Sequence, residues 1–136
     1  MSTTEKKVKL MEYMVDVAMD MLSEQEMFNP SRETARVKGE ANISWTSCAD
    51  RRCDQSKDKF EMKLCREYCK RDAASEALSR TRGLTGYCNK SSNPRSCVKS
   101  LRRTADAWSH RISRIDDRIA DIKRAKDKYK AQASGR

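Results

Sequence analysis

Four of the six cysteines lie between positions 48 and 69, and this clustering constrains the chain more than any other feature. Cys48 and Cys53 form one close pair, and Cys65 and Cys69 form another after eleven intervening residues. Cys65 and Cys69 are four residues apart, so on a helix they share one face. If the segment folds back as a hairpin, Cys53 can meet Cys65 and Cys48 can meet Cys69. We therefore predict two nested disulfides clamping a helical hairpin.

The two remaining cysteines, Cys88 and Cys97, bracket a turn-rich loop, for which a local Cys88–Cys97 bridge is the simplest pairing. Six cysteines allow 15 connectivities, so these pairings are a choice among many. An even count at this density indicates a disulfide framework in an oxidising compartment. Two alternatives stay open. The cysteines can be reduced structural thiols, or the four clustered ones can bind a structural zinc ion. Their C-x4-C-x11-C-x3-C spacing differs from that of zinc ribbons. The zinc alternative involves Cys48, Cys53, Cys65 and Cys69.

Composition limits the size of the core. Hydrophobic residues and charged residues each make up 37% of the 136 positions, and the mean hydropathy is −0.95. A chain of this kind must depend on long helices, covalent staples or partners, because it cannot bury a large apolar core. With four Gly and two Pro, long helices are allowed. We predict an all-α protein with segments 1–30, 31–97 and 98–136.

The first segment reads as an amphipathic helix over residues 4–28. Two apolar stripes run side by side along it and make a face wide enough for two neighbours. Asn29-Pro30 then breaks the helix, since the residue before a proline is pushed out of the α region. We predict that the first stripe contacts a partner; it comprises Val8, Met11, Val15, Ala18 and Leu22.

The middle segment holds the predicted cysteine-stapled helices. We expect a short helix over 31–37, ended by Lys38-Gly39-Glu40, and an irregular approach over 42–47 that leads into a turn of helix at Cys48. A second helix is expected over 57–80, with Asp54 or Ser56 as its N-cap and glycines at its end.

The last segment carries the longest regular pattern. Apolar residues recur at spacings of three and four over more than three heptads, which is typical of paired helices. We therefore predict one helix over 95–131, with a frayed tail, that packs antiparallel to a partner, for which the acidic N-terminal helix is one candidate. Its stripe, which we expect to be an interface, comprises Val98, Leu101, Ala105, Trp108, Ile112, Ile115, Ile119 and Ile122.

Charge is unevenly distributed along the chain. The net charge is +10, yet residues 1–30 hold three Lys against six acidic residues, and residues 99–136 hold twelve Lys and Arg against five Asp. A basic surface suggests nucleic acid, anionic lipid or an acidic protein as partner. The simpler interpretation, which we favour, is a solvated helix face that complements the acidic N-terminal segment.

Targeting signals and membrane spans are not indicated. Glu12, Asp16 and Asp20 interrupt the N-terminal apolar stretch, which argues against a secretory signal and against a mitochondrial transit peptide. No stretch approaches 18 apolar residues, so no transmembrane helix is expected. The sequence is compatible with peripheral contact with a membrane surface.

Catalysis is not expected either. The only histidine, His110, lies off the isoleucine stripe, and the sequence has neither a Gly-rich phosphate loop nor a nucleophile elbow. Nothing singles out one cysteine as a nucleophile beside this histidine. We therefore expect neither enzymatic activity nor a cofactor.

The two close cysteine pairs, in helical context, resemble the twin-CXnC proteins, a class that includes the small Tim chaperones and the CHCH proteins. Cys65-x3-Cys69 matches the half-motif of the small Tims, whereas Cys48-x4-Cys53 is one residue too long and Cys88-x8-Cys97 is one short of CX9C. The resemblance implies a helical hairpin in the mitochondrial intermembrane space, import by oxidative folding, and a structural or chaperone role.

Together these features predict a structural or accessory subunit that binds other protein subunits of a large assembly. A respiratory or ATP-synthase complex facing the intermembrane space is the first expectation. A minor capsid or tail protein of a virion is the first alternative. A nucleic-acid-binding protein that uses the basic last helix is the second.

Overall fold

The computed structural model describes residues 27–53 and 58–135. Over these ranges the chain forms the α-helices α1 (Pro30–Arg52), α2 (Lys59–Gly83) and α3 (Pro94–Ser134), with a 3-10 helix at Leu84–Lys90 before α3 and no strand. Both α1 and α3 run antiparallel to α2. The predicted all-α class is therefore confirmed, and α3 begins one residue before the predicted helix start at 95.

Most of the predicted N-terminal helix, including its stripe from Val8 to Leu22, lies outside the described residues. Its last two positions, Met27 and Phe28, are described and are not helical. The backbone N–H of Phe28 donates to the carbonyl of Lys90 at 3.1 Å, and its ring stacks on Tyr87 with centroids 5.9 Å apart. The entry to α1 is therefore fixed beside the end of the 3-10 helix.

Side-chain caps define where each α-helix starts. The Asn29 side chain accepts hydrogen bonds from the N–H groups of Ser31 and Arg32. Asp58 accepts from the N–H groups of Phe60 and Glu61 at 2.8 and 3.1 Å, and Asn93 caps α3. Such caps satisfy N–H groups that the first helical turn leaves without partners. The cap of α2 is thus Asp58, and the expected Asp54 or Ser56 was wrong because the helix starts later.

The first helix is longer than the sequence suggested. α1 continues through Lys38-Gly39-Glu40 and through positions 42–47, so the predicted break and the irregular stretch were both wrong. A glycine inside a helix costs only about 1 kcal/mol relative to alanine. Next to this glycine, Glu40 pairs with Arg36 in the same helix and with Arg80 of α2.

The heptad stripe of α3 forms the core of the chain. Val37 of α1 and Ala74 and Ala77 of α2 are buried against it. The heptad helix is confirmed, and its main antiparallel partner is α2 of the same chain. Four stripe residues are buried and four are half-buried; the buried ones are Leu101, Trp108, Ile115 and Ile119, and the half-buried ones are Val98, Ala105, Ile112 and Ile122.

This burial corrects the expectation that the whole stripe meets another chain. The four buried side chains are already covered within the chain. Trp108, Ile115 and Ile119 share a cluster with Ala74 and Ala77 of α2, whereas Leu101 packs with Cys88 and Cys97. Contact with a partner stays a prediction for the four half-buried positions only.

Candidate docking surfaces

The cysteine clamp lies where α1 ends and α2 begins. Cys48 pairs with Cys69, and Cys53 pairs with Cys65. Cys48 lies in the last turns of α1, whereas Cys53 is the extended residue that caps the helix. This change of backbone conformation lets two cysteines five residues apart face two that are four apart. The predicted nested pairing is therefore present.

At the other end of the bundle, Cys88 of the 3-10 helix is bonded to Cys97 of α3, which is the predicted local pair. Both residues are buried with Leu101 in a second apolar cluster. All six cysteines are thus in disulfides. Zinc binds deprotonated thiolates, and sulfurs in disulfides offer none. In this structure the four clustered cysteines are therefore bonded in pairs and offer no thiolate, with the sulfurs of Cys53, Cys65 and Cys69 within 4.8 Å of one another.

The single histidine lies on the surface of α3. His110 is exposed, as its position off the apolar stripe predicted. No free thiol is available to it, since every cysteine is bonded to another cysteine. A Cys–His pair is therefore not formed in this structure.

A groove separates α1 from α3 on one side of the bundle; we call it the basic groove. Its wide part has a volume of about 860 Å³, and a narrower part of about 300 Å³ continues towards Trp45 and Lys70. Its apolar lining residues include the buried Trp108 and the exposed Ala35 and Ala107. No carboxylate among the described residues lines it. Its walls carry six basic side chains: Lys38, Lys70, Arg103, Arg111, Arg114 and Arg118.

The cations of the basic groove are only partly balanced. Glu67 pairs with Lys70 at 3.6 Å and with Arg118 at 3.1 Å. The guanidinium of Arg111 stacks on the ring of Trp108 at 5.2 Å. In the part of the chain that the structure describes, Lys38, Arg103 and Arg114 have no carboxylate within ion-pair distance. The groove therefore favours a ligand that is both apolar and anionic.

A second surface lies beside the clamp; we call it the aromatic strip. It consists of Phe60 and Tyr68 on one face of α2 and Tyr129 on α3. The rings of Phe60 and Tyr129 pack at 5.7 Å, and Lys123 lies 5.8 Å from the ring of Tyr68. Tyr68 is 42% exposed and Tyr129 is 63% exposed. Aromatic side chains are enriched at protein contact surfaces, whose rims are polar.

Neither surface was predicted. The spacing of Arg103, Arg111, Arg114 and Arg118 already places these residues on one face of a helix. Lys38 belongs to the opposite wall of the groove. This wall was not predicted, because the first helix was expected to end at this residue. Tyr129 lies beyond the predicted stripe of α3, and its ring contact is with a residue 69 positions away.

The comparisons with known proteins gave no relatives: no family matches the chain, and neither does any curated protein or solved structure. Among the described helices, none combines the length and the apolar character that crossing a bilayer requires.

Proposed function

We propose that the protein is a non-catalytic structural subunit that joins a larger protein assembly through the aromatic strip. The observation that carries the proposal is the exposure of Tyr68 and Tyr129 beside Phe60, on helices held by a disulfide clamp. Tyrosine is enriched among the residues that dominate binding energy, because it offers a large rigid contact and a polar tip. A clamped backbone loses little entropy when it binds.

The lysines that flank the strip narrow the class of partner. Lys126 contacts Glu61 at 3.5 Å, Lys123 faces Tyr68, and Lys59 lies 5.9 Å from the ring of Phe60. A cavity of about 310 Å³ opens between Phe60 and Tyr129, with Lys130 at its edge. A partner surface with apolar side chains ringed by carboxylates would fit this arrangement.

The cysteines support a location in an oxidising compartment. Three disulfides persist where thiols are not kept reduced. The nested pairs in a helical hairpin agree with the twin-CXnC pattern, so we propose the mitochondrial intermembrane space, with a respiratory or ATP-synthase complex as the assembly. The alternative location for a protein with these disulfide bonds is a virion.

The test uses the tagged full-length protein in its source cells. We expect it to sediment with an assembly far larger than its own 15.7 kDa. Replacing Tyr68 and Tyr129 with Ser should weaken that association by about 100-fold if both are strong contact residues. Helicity should stay unchanged, because both side chains are exposed.

The matched control is Ile43→Ser, which removes an apolar side chain that is 66% exposed on α1. It should leave sedimentation unchanged. A wild-type protein that sediments alone contradicts the assembly role. A double variant that still sediments with the assembly shows that the strip is not the contact.

A further inference from the structure

The basic groove runs between α1 and α3 and offers apolar contact between basic walls. We propose that it is the docking site for the chain's own N-terminal segment, residues 1–26, for which the sequence pattern predicts a helix and the connection to α1 an antiparallel direction. This inference does not rest on the proposed assembly role. Three observations carry it: charge, apolar pattern and the position at which the chain enters α1.

Charge complementarity is the first observation. Glu12, Asp16, Asp20 and Glu24 recur at every fourth position, so on a helix they form one acidic stripe. The four arginines of the groove form a basic stripe on α3. Opposite charges attract most strongly where water is excluded and screening is weak. The segment therefore carries the carboxylates that the described groove walls lack.

The apolar pattern is the second observation. Positions 8–22 of the segment alternate between two apolar stripes, which leaves a wide face that needs cover. The apolar residues that line the wide part of the groove are Ala35, Ala107 and Trp108. Small residues allow a helix to approach closely, and the many methionines of the segment adapt to an irregular surface.

The connection is the third observation. Phe28 is tied to Lys90 and Tyr87, and the groove starts next to this point, at Ser31 and Ser100. Loops of two to five residues join antiparallel helices, which matches the non-helical positions 27–29. As a helix, 26 residues span about 39 Å, and the groove from Ser100 to Arg118 is about 27 Å long. The segment is long enough to fill it.

Carbodiimide crosslinking of the dilute full-length protein tests the proposal, because this reagent joins carboxylates to amines in direct contact. We expect crosslinks within one copy from Glu12, Asp16, Asp20 or Glu24 to Lys38 and Lys70. Lys59 and Lys128, which lie outside the groove, should not be joined to these acids. Crosslinks only between copies, or spread evenly over all lysines, would overturn the proposal.

A charge swap in the full chain makes the test specific. Asp16→Arg with Asp20→Arg, or Arg103→Glu with Arg114→Glu, should each lower the yield of Glu12 and Glu24 crosslinks to the groove lysines about tenfold, since two ion pairs become repulsions. Combining all four changes should restore the yield. The exposed pair Asp50→Arg with Asp127→Arg is the matched control and should have no effect. A combined variant that stays as low as its parents contradicts the proposal.

Tryptophan fluorescence gives an independent readout. The chain has two tryptophans, Trp45 and Trp108, and both line the groove. Acrylamide quenching should therefore rise in each charge-reversed variant and return to the wild-type value in the combined variant. Equal quenching in all four proteins would show that the segment lies elsewhere.

Discussion

The two helices that flank α2 are held to it in different ways. α3 contributes five buried residues, of which Leu101 is completely inaccessible to solvent. α1 contributes one, Val37. Instead, α1 is bonded to α2 by two disulfides. Ion pairs also favour the α2–α3 contact, with Arg71–Asp116 at 2.6 Å and Arg118–Glu67 at 3.1 Å.

The difference shows how a chain with few apolar residues forms a three-helix unit. Its apolar side chains suffice for one well-packed interface. At the second interface α1 buries only Val37, and the two disulfides restrict the unfolded chain instead. Four predictions follow this contrast, in order of decreasing effect.

The largest effect should come from the apolar side chains that α3 buries. Replacing Leu101 with Ala removes a fully buried side chain and should lower the free energy of unfolding by about 2–5 kcal/mol. Urea denaturation with the disulfides intact measures it. Ile43→Ala, at an exposed site on α1, should change the same quantity by less than about 0.5 kcal/mol. Equal effects at both sites would contradict the assignment of the core to α3.

The next effect concerns the clamp. Replacing Cys48 and Cys69 with Ala opens a link between residues 21 apart and should cost about 3 kcal/mol. The loss should appear as faster amide exchange in α1. Removing Cys88 and Cys97 is the control, because that bond lies at the opposite end and should leave the last turns of α1 protected.

The sequence predicted α3 well and α1 poorly, for one physical reason. The eight-residue stripe of α3 repeats over more than three heptads, so its period identifies the helix without any tertiary information. The burial of this stripe could not be predicted, because much of it is covered by alanines of α2. Alanines are too small to stand out in a hydrophobicity pattern. α1 has no comparable period, and its helix depends on the Asn29 cap, on Glu40 and on the clamp.

The two docking surfaces illustrate the same limit. The nested pairing followed from cysteine spacing, which is local. The basic groove and the aromatic strip each require side chains from two helices in a fixed register, as with Phe60 and Tyr129. Such a register becomes known only once the antiparallel packing is known.

A smaller, stabilising effect is expected in the middle of α1. Nothing lies within 4 Å of a Cβ built on Gly39, so Gly39→Ala should raise the free energy of unfolding by about 0.5–1 kcal/mol by reducing the entropy of the unfolded chain. Thermal denaturation of the two proteins measures the change. A decrease would mean that α1 is not continuous at this position.

The smallest effect is a pH dependence at the α1–α2 contact. Hydrogen bonds from Arg80 and then Arg36 hold the pKa of Glu40 below its ordinary value of 4.5. The ionised carboxylate therefore stabilises the fold above about pH 4.5, and this contribution is lost as the pH falls through the lowered pKa. Glu40→Gln should remove this part of the acid sensitivity. An unchanged pH profile of stability would show that the contact contributes nothing in solution.

Hydrogen exchange with and without a reductant tests the contrast between the two flanking helices most directly. After reduction and alkylation of all six cysteines, amides of residues 30–52 should exchange close to the rate of an unprotected chain. Amides of residues 108–119 should keep most of their protection, because the cluster that buries this part of α3 contains no cysteine. Joint loss of protection in α1 and α3, or an α1 that stays protected, would contradict the account.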